Sequence, residues 1–166
     1  VDNYEKLHTR NAGKRVRPRA TYEKMVSAAL AADGFIAYAE SEADRAPAGI
    51  AVIFCEKGIA FYGSVGIAPE YAGKFVAHIL QTEIIRHLSE IDVRTYSLGE
   101  FCDAPKLQKV PTRKERDISF FKSGFSRGQT VLVPAATKYF SRKALNILNQ
   151  EIINNCLPIL EAKHDD

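Results

Sequence analysis

Tyr62, Ser64, Tyr96, Glu100 and Lys122 are the side chains whose types and spacing suit acid–base and anion-holding chemistry. Glu100 follows Gly99 at the end of a strand-like run, where a carboxylate can take a proton directly or through water. Tyr96 lies four residues earlier, on the same face of that run, and Tyr62 and Ser64 lie two apart, on one face of another. Lys122 stands in RKERDISFFKSGFSRG (113–128), where five basic side chains surround three phenylalanines ahead of a glycine turn. A lysine there acts as a point charge on a phosphate or a developing oxyanion. The plainer reading lays its stem over Phe121 and Phe125, makes Tyr62 and Tyr96 sheet-face aromatics, Ser64 a turn residue and Glu100 a solvated strand end.

A second group of residues suits phosphate. In YGSVGIAPEYAGKF (62–75), a helix beginning near Gly73 or Lys74 turns its unpartnered N–H groups and positive dipole end toward the preceding loop. Gly73 permits close approach and Lys74 adds charge, although glycine ahead of a helix is also an ordinary turn. Metal chemistry is not expected. His78 and His87 lie nine apart on one helix and do not meet, His8 and His164 sit in the flanks, and Cys55, Cys102 and Cys156 form no CxxC pair. There is no G-x-S-x-G elbow, Walker loop or HExxH.

The elements that must position these groups follow from period and punctuation. RATYEKMVSAALAA (19–32) carries a helical face stopped by Asp33-Gly34. FIAYAES, GIAVIFCEKG and GIAFYGSVGI, divided by turn residues, predict three antiparallel strands in a meander. GKFVAHILQTEIIRHLSEI (73–91) predicts a long helix with Phe75, Ile79, Leu80, Ile84 and Leu88 on its apolar stripe. VRTYSLGEF (93–101) reads as a strand and CDAPKLQKVP as a loop. Thr112 with Glu115 makes a capping box for a helix to about Phe125, anchored by its phenylalanines. QTVLVPAATKYF reads as a last strand, with Pro134 at an edge or bulge, and Ser141 caps a final helix ended by Pro158. The fold class is α+β: one domain with a mixed, mostly antiparallel sheet flanked by helices.

With 166 residues, 46% hydrophobic and 26% charged, and no repeat or low-complexity tract, the composition is that of an ordinary globular domain. No apolar run reaches the length of a bilayer span and no leader is seen, so a cytoplasmic location without membrane insertion is expected. The chain opens at Val1, as a processed chain or part of a longer protein does. The net charge is only +3, but RNAGKRVRPR (10–19) and KLQKVPTRKER (106–116) concentrate the basic groups. The expected division is a basic N-terminal segment 1–18, a folded domain 19–160 and a disordered tail 161–166.

The order of elements is similar to that of the GNAT acyltransferase superfamily, in which the acyl carrier's pyrophosphate sits between the fourth strand and the following helix. Against the motif R/Q-x-x-G-x-G/A, EYAGKF keeps Gly73 but has Glu70 and Phe75 at the flanking positions, and the charge of Glu70 opposes a pyrophosphate. YEKLHTR, TYSLGEF and ISFFKSGFSRG resemble more closely the FemAB-like branch, whose members move amino acids from aminoacyl-tRNA to peptidoglycan precursors. Ser97 stands in place of that branch's strand aspartate and Ser126-Arg127-Gly128 in place of its glycine pair. The resemblance implies transfer of an acyl or aminoacyl group to an amine-bearing acceptor, with acyl-CoA or aminoacyl-tRNA as donor and no metal. It implies a donor docked along Ser64, Val65, Gly66 and Ile67 and the loop of Gly73 and Lys74, with Lys122 and Arg127 on phosphate and Lys122, Glu100 and Tyr96 at the chemistry. Further partners it implies are tRNA and a second such domain or a homo-oligomer. The alternative is a catalytically inactive GNAT-like module that binds RNA or a protein through its basic surface.

Overall fold

Turn chemistry sets the sheet. Lys57 and Gly58 both take positive φ (51° and 77°), the two-residue connection that suits the twist of a hairpin, and they join β2 (Pro47–Glu56) to β3 (Ile59–Ile67). β1 (Phe35–Glu40) pairs antiparallel with β2, β2 antiparallel with β3, and β3 parallel with the short β4 (Thr95–Ser97), giving the order β1-β2-β3-β4. The expected meander is present. The computed structural model describes residues 1–102, 111–126, 141–143, 146–147 and 149–150, and the chain divides into two compact units, Val1–Gly99 and Glu100–Asp166.

In the first unit, helices cover both faces of this mixed α+β sheet. On one side α3 (Val76–Glu90) buries Val76, Leu80, Ile84 and Leu88 against Ala51, Ile53 and Cys55. Gly49 makes that contact close: a Cβ there would meet the Val76 and Leu80 methyl groups at 2.8 and 2.9 Å. On the other side α1 (Asp2–Ala12) and α2 (Arg19–Ala31) bury Tyr4, Leu7, Tyr22 and Ala29 against Ile50 and Val52.

Several expectations change here. Residues 2–12, read as part of a basic segment, form α1, whose Tyr4 and Leu7 join the core; Asp2 and Glu5 in its first turn and Gly13 at its C-cap (φ 70°) complement the helix ends. The long helix begins at Val76, not at Gly73 or Lys74, because Gly73 and Phe75 are both left-handed. Phe75 and Ile79 are correspondingly exposed, and Val76 and Gln81 take the buried stripe in their place. β4 ends at Ser97, short of 101: Gly99 turns at φ 80° and donates its N–H to Ser97 Oγ at 3.3 Å.

The second unit contains α4 (Arg113–Ser126). Its capping box forms as expected, with Thr112 N–H donating to Glu115 Oε2 at 2.8 Å and Glu115 N–H to Thr112 Oγ1 at 3.3 Å. Of its phenylalanines, Phe121 and Phe125 pack ring to ring at 5.2 Å, whereas Phe120 is 82% exposed and anchors nothing. The expected strand 129–140, Pro158, Cys156, His164 and the tail 161–166 lie outside the described residues, and the residues described between 142 and 150 are helical.

Candidate active site

Parallel pairing between β3 and β4 covers only Ile59, Ala60 and Phe61 opposite Thr95, Tyr96 and Ser97. β3 continues for six more residues, Tyr62 to Ile67, with no described strand on that side. Ala68 donates to the Ala48 carbonyl at 2.9 Å, which fixes the parity of the ladder with β2. Alternation then turns the peptide groups of Val65 and Ile67 away from β2, toward the open edge. A strand edge of this kind offers N–H and C=O groups to an extended, amide-bearing ligand. Gly66, between them, serves packing: a Cβ there would lie 2.7 Å from the backbone nitrogen of His8 in α1.

The open edge runs into the loop before α3. Pro69–Tyr71 form one 3-10 turn, Gly73 (φ 77°) and Phe75 (φ 56°) take left-handed conformations, and the first helical bond runs from Ile79 N–H to the Phe75 carbonyl at 3.0 Å. The N–H groups of Val76 and Ala77 precede that bond, and Phe75 supplies no side-chain cap. They form the positive end of a fifteen-residue helix. The Lys74 ammonium stands 5.1 Å from the Tyr71 ring centroid. Glu70, expected to repel a pyrophosphate, is paired with Arg10 at 2.6 Å, and its carboxyl is held below its usual range by its own backbone N–H and then by that guanidinium. Its charge is compensated.

Tyr62 and Tyr96 come together on the α3 side where the strands part, edge to face with centroids 6.4 Å apart. Tyr96 donates its hydroxyl proton to Gln81 Oε1 at 3.0 Å, and Gln81, fully buried, leaves Nε2 without a partner. Burial pushes the Tyr62 hydroxyl up to about 12, and raises Tyr96 as well, the neighbouring Tyr62 adding to the effect. Both are therefore neutral hydroxyls at physiological pH, suited to donating rather than accepting a proton.

Ser64 does not share that face. The β2–β3 register shifts between Val52 and Ile53, so that Ser64 opposes Val52, Tyr62 opposes Ile53, and Gly63 is the extra residue of a bulge. One extra residue reverses the alternation, and Ser64 points toward α1 and α2, where Arg17 Nη1 donates to its Oγ at 3.3 Å. The same guanidinium nitrogen reaches His8 Nε2 at 3.4 Å and Tyr4 Oη at 3.5 Å. Since arginine only donates, His8 Nε2 accepts, and Nδ1 carries the proton toward the Tyr22 hydroxyl oxygen at 3.2 Å. Burial, then Arg17, holds the His8 pKa below its ordinary value, consistent with this neutral tautomer. Arg17, His8 and Gln81 were not singled out from sequence. RNAGKRVRPR shows a basic run, but charge count does not separate one arginine from its neighbours.

In the second unit Lys122 donates to the Glu100 carbonyl at 3.1 Å, and Cys102 N–H donates to Ser119 Oγ at 2.8 Å. Lys122 is thus tied to the chain at residue 100, and burial lowers its pKa. Glu100 lies beyond β4, so its expected place on one strand face with Tyr96 does not hold. Arg127 lies outside the described residues. Among the described residues no group of three or more His, Cys, Asp or Glu side chains is placed to hold a metal ion, and no helix is long and apolar enough to cross a membrane.

Solved structures resemble this arrangement. One is AAC(6')-Iy in complex with the bisubstrate analog CoA-S-monomethyl-acetylneamine, with 17% identity over 83% of this chain and 90% of that one and a TM-score of 0.53. Another is the aminoglycoside 6'-N-acetyltransferase AAC(6')-IG from Acinetobacter haemolyticus, with 12% identity over 84% and 92% and a TM-score of 0.51. At these identities they share the fold. No curated protein matches. The family described as "Acetyltransferase (GNAT) domain" matches residues 1–103, more than half of the 166. With its parting parallel strands and the helix that follows, the chain belongs to the GNAT acetyltransferase-domain family.

Proposed function

We propose that the protein transfers an acetyl group from acetyl-CoA to a primary amine, with the donor lying along the open edge of β3. The observation that carries this reading is the early end of the β3–β4 ladder at Phe61 and Ser97. The amide-bearing arm of the donor would pair with the outward peptide groups of Val65 and Ile67, and its pyrophosphate would meet the N–H groups of Val76 and Ala77 with Lys74 beside them. Attack of the amine nitrogen on the thioester carbon forms an oxyanion, which collapses as the carbon–sulfur bond breaks; the proton lost by nitrogen balances the one gained by the departing thiolate. The neutral Tyr62 hydroxyl is the proton donor on the α3 side, with Tyr96 fixed through Gln81 as its neighbour. The structures that share the fold are named for CoA and for aminoglycoside N-acetylation, which supports CoA as donor carrier and an amine as acceptor.

The test is acetyl-CoA turnover, read as free thiol, with a panel of amines. Val65→Pro deletes one outward N–H while leaving the ladder to β2, and Lys74→Glu reverses the loop charge; each is expected to raise the KM for acetyl-CoA about tenfold or more. Unchanged KM values in both variants would remove the donor from this edge. The aminoacyl reading rests on TYSLGEF and ISFFKSGFSRG. It is tested by replacing acetyl-CoA with aminoacyl-tRNA, and turnover with that donor alone would move the function to that branch. The sequence-based roles of Glu100 as base and Lys122 as anion holder are read in the same assay from Glu100→Gln and Lys122→Ala.

A further inference from the structure

The arginines of the first unit are almost all matched to carboxylates. Arg10 pairs with Glu70, Arg15 with Glu5, Arg19 with Asp2, Glu5 and Glu23, Arg45 with Glu40, Arg86 with Glu83 and Glu90, and Arg94 with Asp92. Arg17 is the exception among the described residues. It is partly buried in the connection between α1 and α2, and its contacts are neutral: Ser64 Oγ, His8 Nε2, Tyr4 Oη and, at 3.8 Å, Met25 Sδ. All four involve Nη1. Every acid of the two flanking helices, Asp2, Glu5 and Glu23, is engaged by Arg15 or Arg19. A guanidinium withdrawn from water without a counter-ion is costly, and the neutral state of His8 keeps a second positive charge from accumulating beside it.

The position of this cation gives it a use. Ser64 precedes Val65, whose peptide group faces the open edge, and the bulge at Gly63 turns Ser64 to the α1/α2 face, opposite the face where Tyr62, Tyr96 and α3 lie. We propose that Arg17, with the Ser64 hydroxyl, binds an anionic group, a carboxylate or phosphate, carried by the acceptor amine, so that the acceptors of this protein are acidic amines and not polycations. The inference rests on the acetyl-transfer reading for there being an amine acceptor at all, and the geometry of Arg17 stands without it. Guanidinium nitrogens meet carboxylate and phosphate oxygens in a matched planar fork, and among the described residues Arg17 Nε and Nη2 make no hydrogen bond or ion pair that would compete. A polycationic amine such as neamine would meet repulsion at the same place.

Matched acceptors test this: phosphoethanolamine against ethanolamine, β-alanine against propylamine, and neamine, each with acetyl-CoA. The acidic member of each pair is expected to have a kcat/KM at least tenfold above its neutral partner, with neamine below both. Arg17→Gln should collapse that ratio about tenfold or more, Arg17→Lys should restore part of it, and Ser64→Ala should lower it less. Calorimetric titration of phosphoethanolamine into the protein without donor gives a second reading: binding to the native chain, lost in Arg17→Gln and kept in Arg17→Lys, supports the site. A ratio near one in the native chain, or one unaltered by Arg17→Gln in a variant that melts normally, overturns the inference while leaving acetyl transfer standing. Failure of acetyl-CoA to bind overturns acetyl transfer instead, and the donor-free titration then decides the role of Arg17 alone.

Discussion

At the scale of single residues, the two tyrosines beside Gln81 have a measurable consequence. Tyr62 ionises near 12 in the fold against about 10 in an unfolded chain, and Tyr96 is shifted in the same direction. A raised folded pKa means that between these values the folded state holds protons the unfolded state has released, so stability is complete below pH 10 and falls as pH rises toward 12. Tyr62 alone contributes a loss of roughly 2–3 kcal/mol over that interval. Chemical denaturation at pH 9 and at pH 11.5 should show the decline in the native chain and a flatter profile in Tyr62→Phe. An equally steep decline in that variant would show that the Tyr62 hydroxyl is not desolvated as described. The pairing of these two tyrosines is legible only once the strand order is known, since 34 positions separate them in the chain.

At the scale of elements, two glycines let helices lie against the sheet, and the obstacles they avoid differ. A Cβ at Gly66 would strike backbone atoms of Leu7 and His8, which move only with α1, whereas at Gly49 it would strike the methyl ends of Val76, Leu80 and Ile67. Gly66→Ala is therefore expected to cost about 1–3 kcal/mol and Gly49→Ala less, read from urea midpoints at equal slope. The reverse order would mean that α1 is not seated on β3 as described. The meander, α3 and the capping box were legible because each is written locally, in turn residues, period and the Thr112–Glu115 spacing. The bulge at Gly63 was not, since nothing in YGSVG marks which residue lacks a partner, and a single extra residue sent Ser64 to the opposite face. α1 was hidden for another reason: only Tyr4 and Leu7 of its eleven residues are buried, so charge dominates its pattern. β4 was overread because a strand of three residues carries too little period to be bounded from sequence.

At the scale of the whole molecule, a net charge of +3 is small, and the attraction for an anionic donor is local to the loop before α3. A ligand bound only by the folded state stabilises it by about 2.7 kcal/mol at a hundred times its Kd. For a chain of 166 residues that corresponds to a rise in Tm of roughly 5–11 °C. Calorimetry with saturating acetyl-CoA should show a rise of this size, reduced at high salt because the exposed Lys74 and the α3 terminus supply a screened electrostatic share. The donor edge, the α3 terminus and the family match all lie in or within four residues of the first unit, Val1–Gly99. If the two units melt separately, the shift should therefore appear in the transition that Gly66→Ala also moves. A ligand that shifts the other transition, or neither, would place donor binding away from β3 and remove the physical basis for reading its open edge as the acetyl-CoA site.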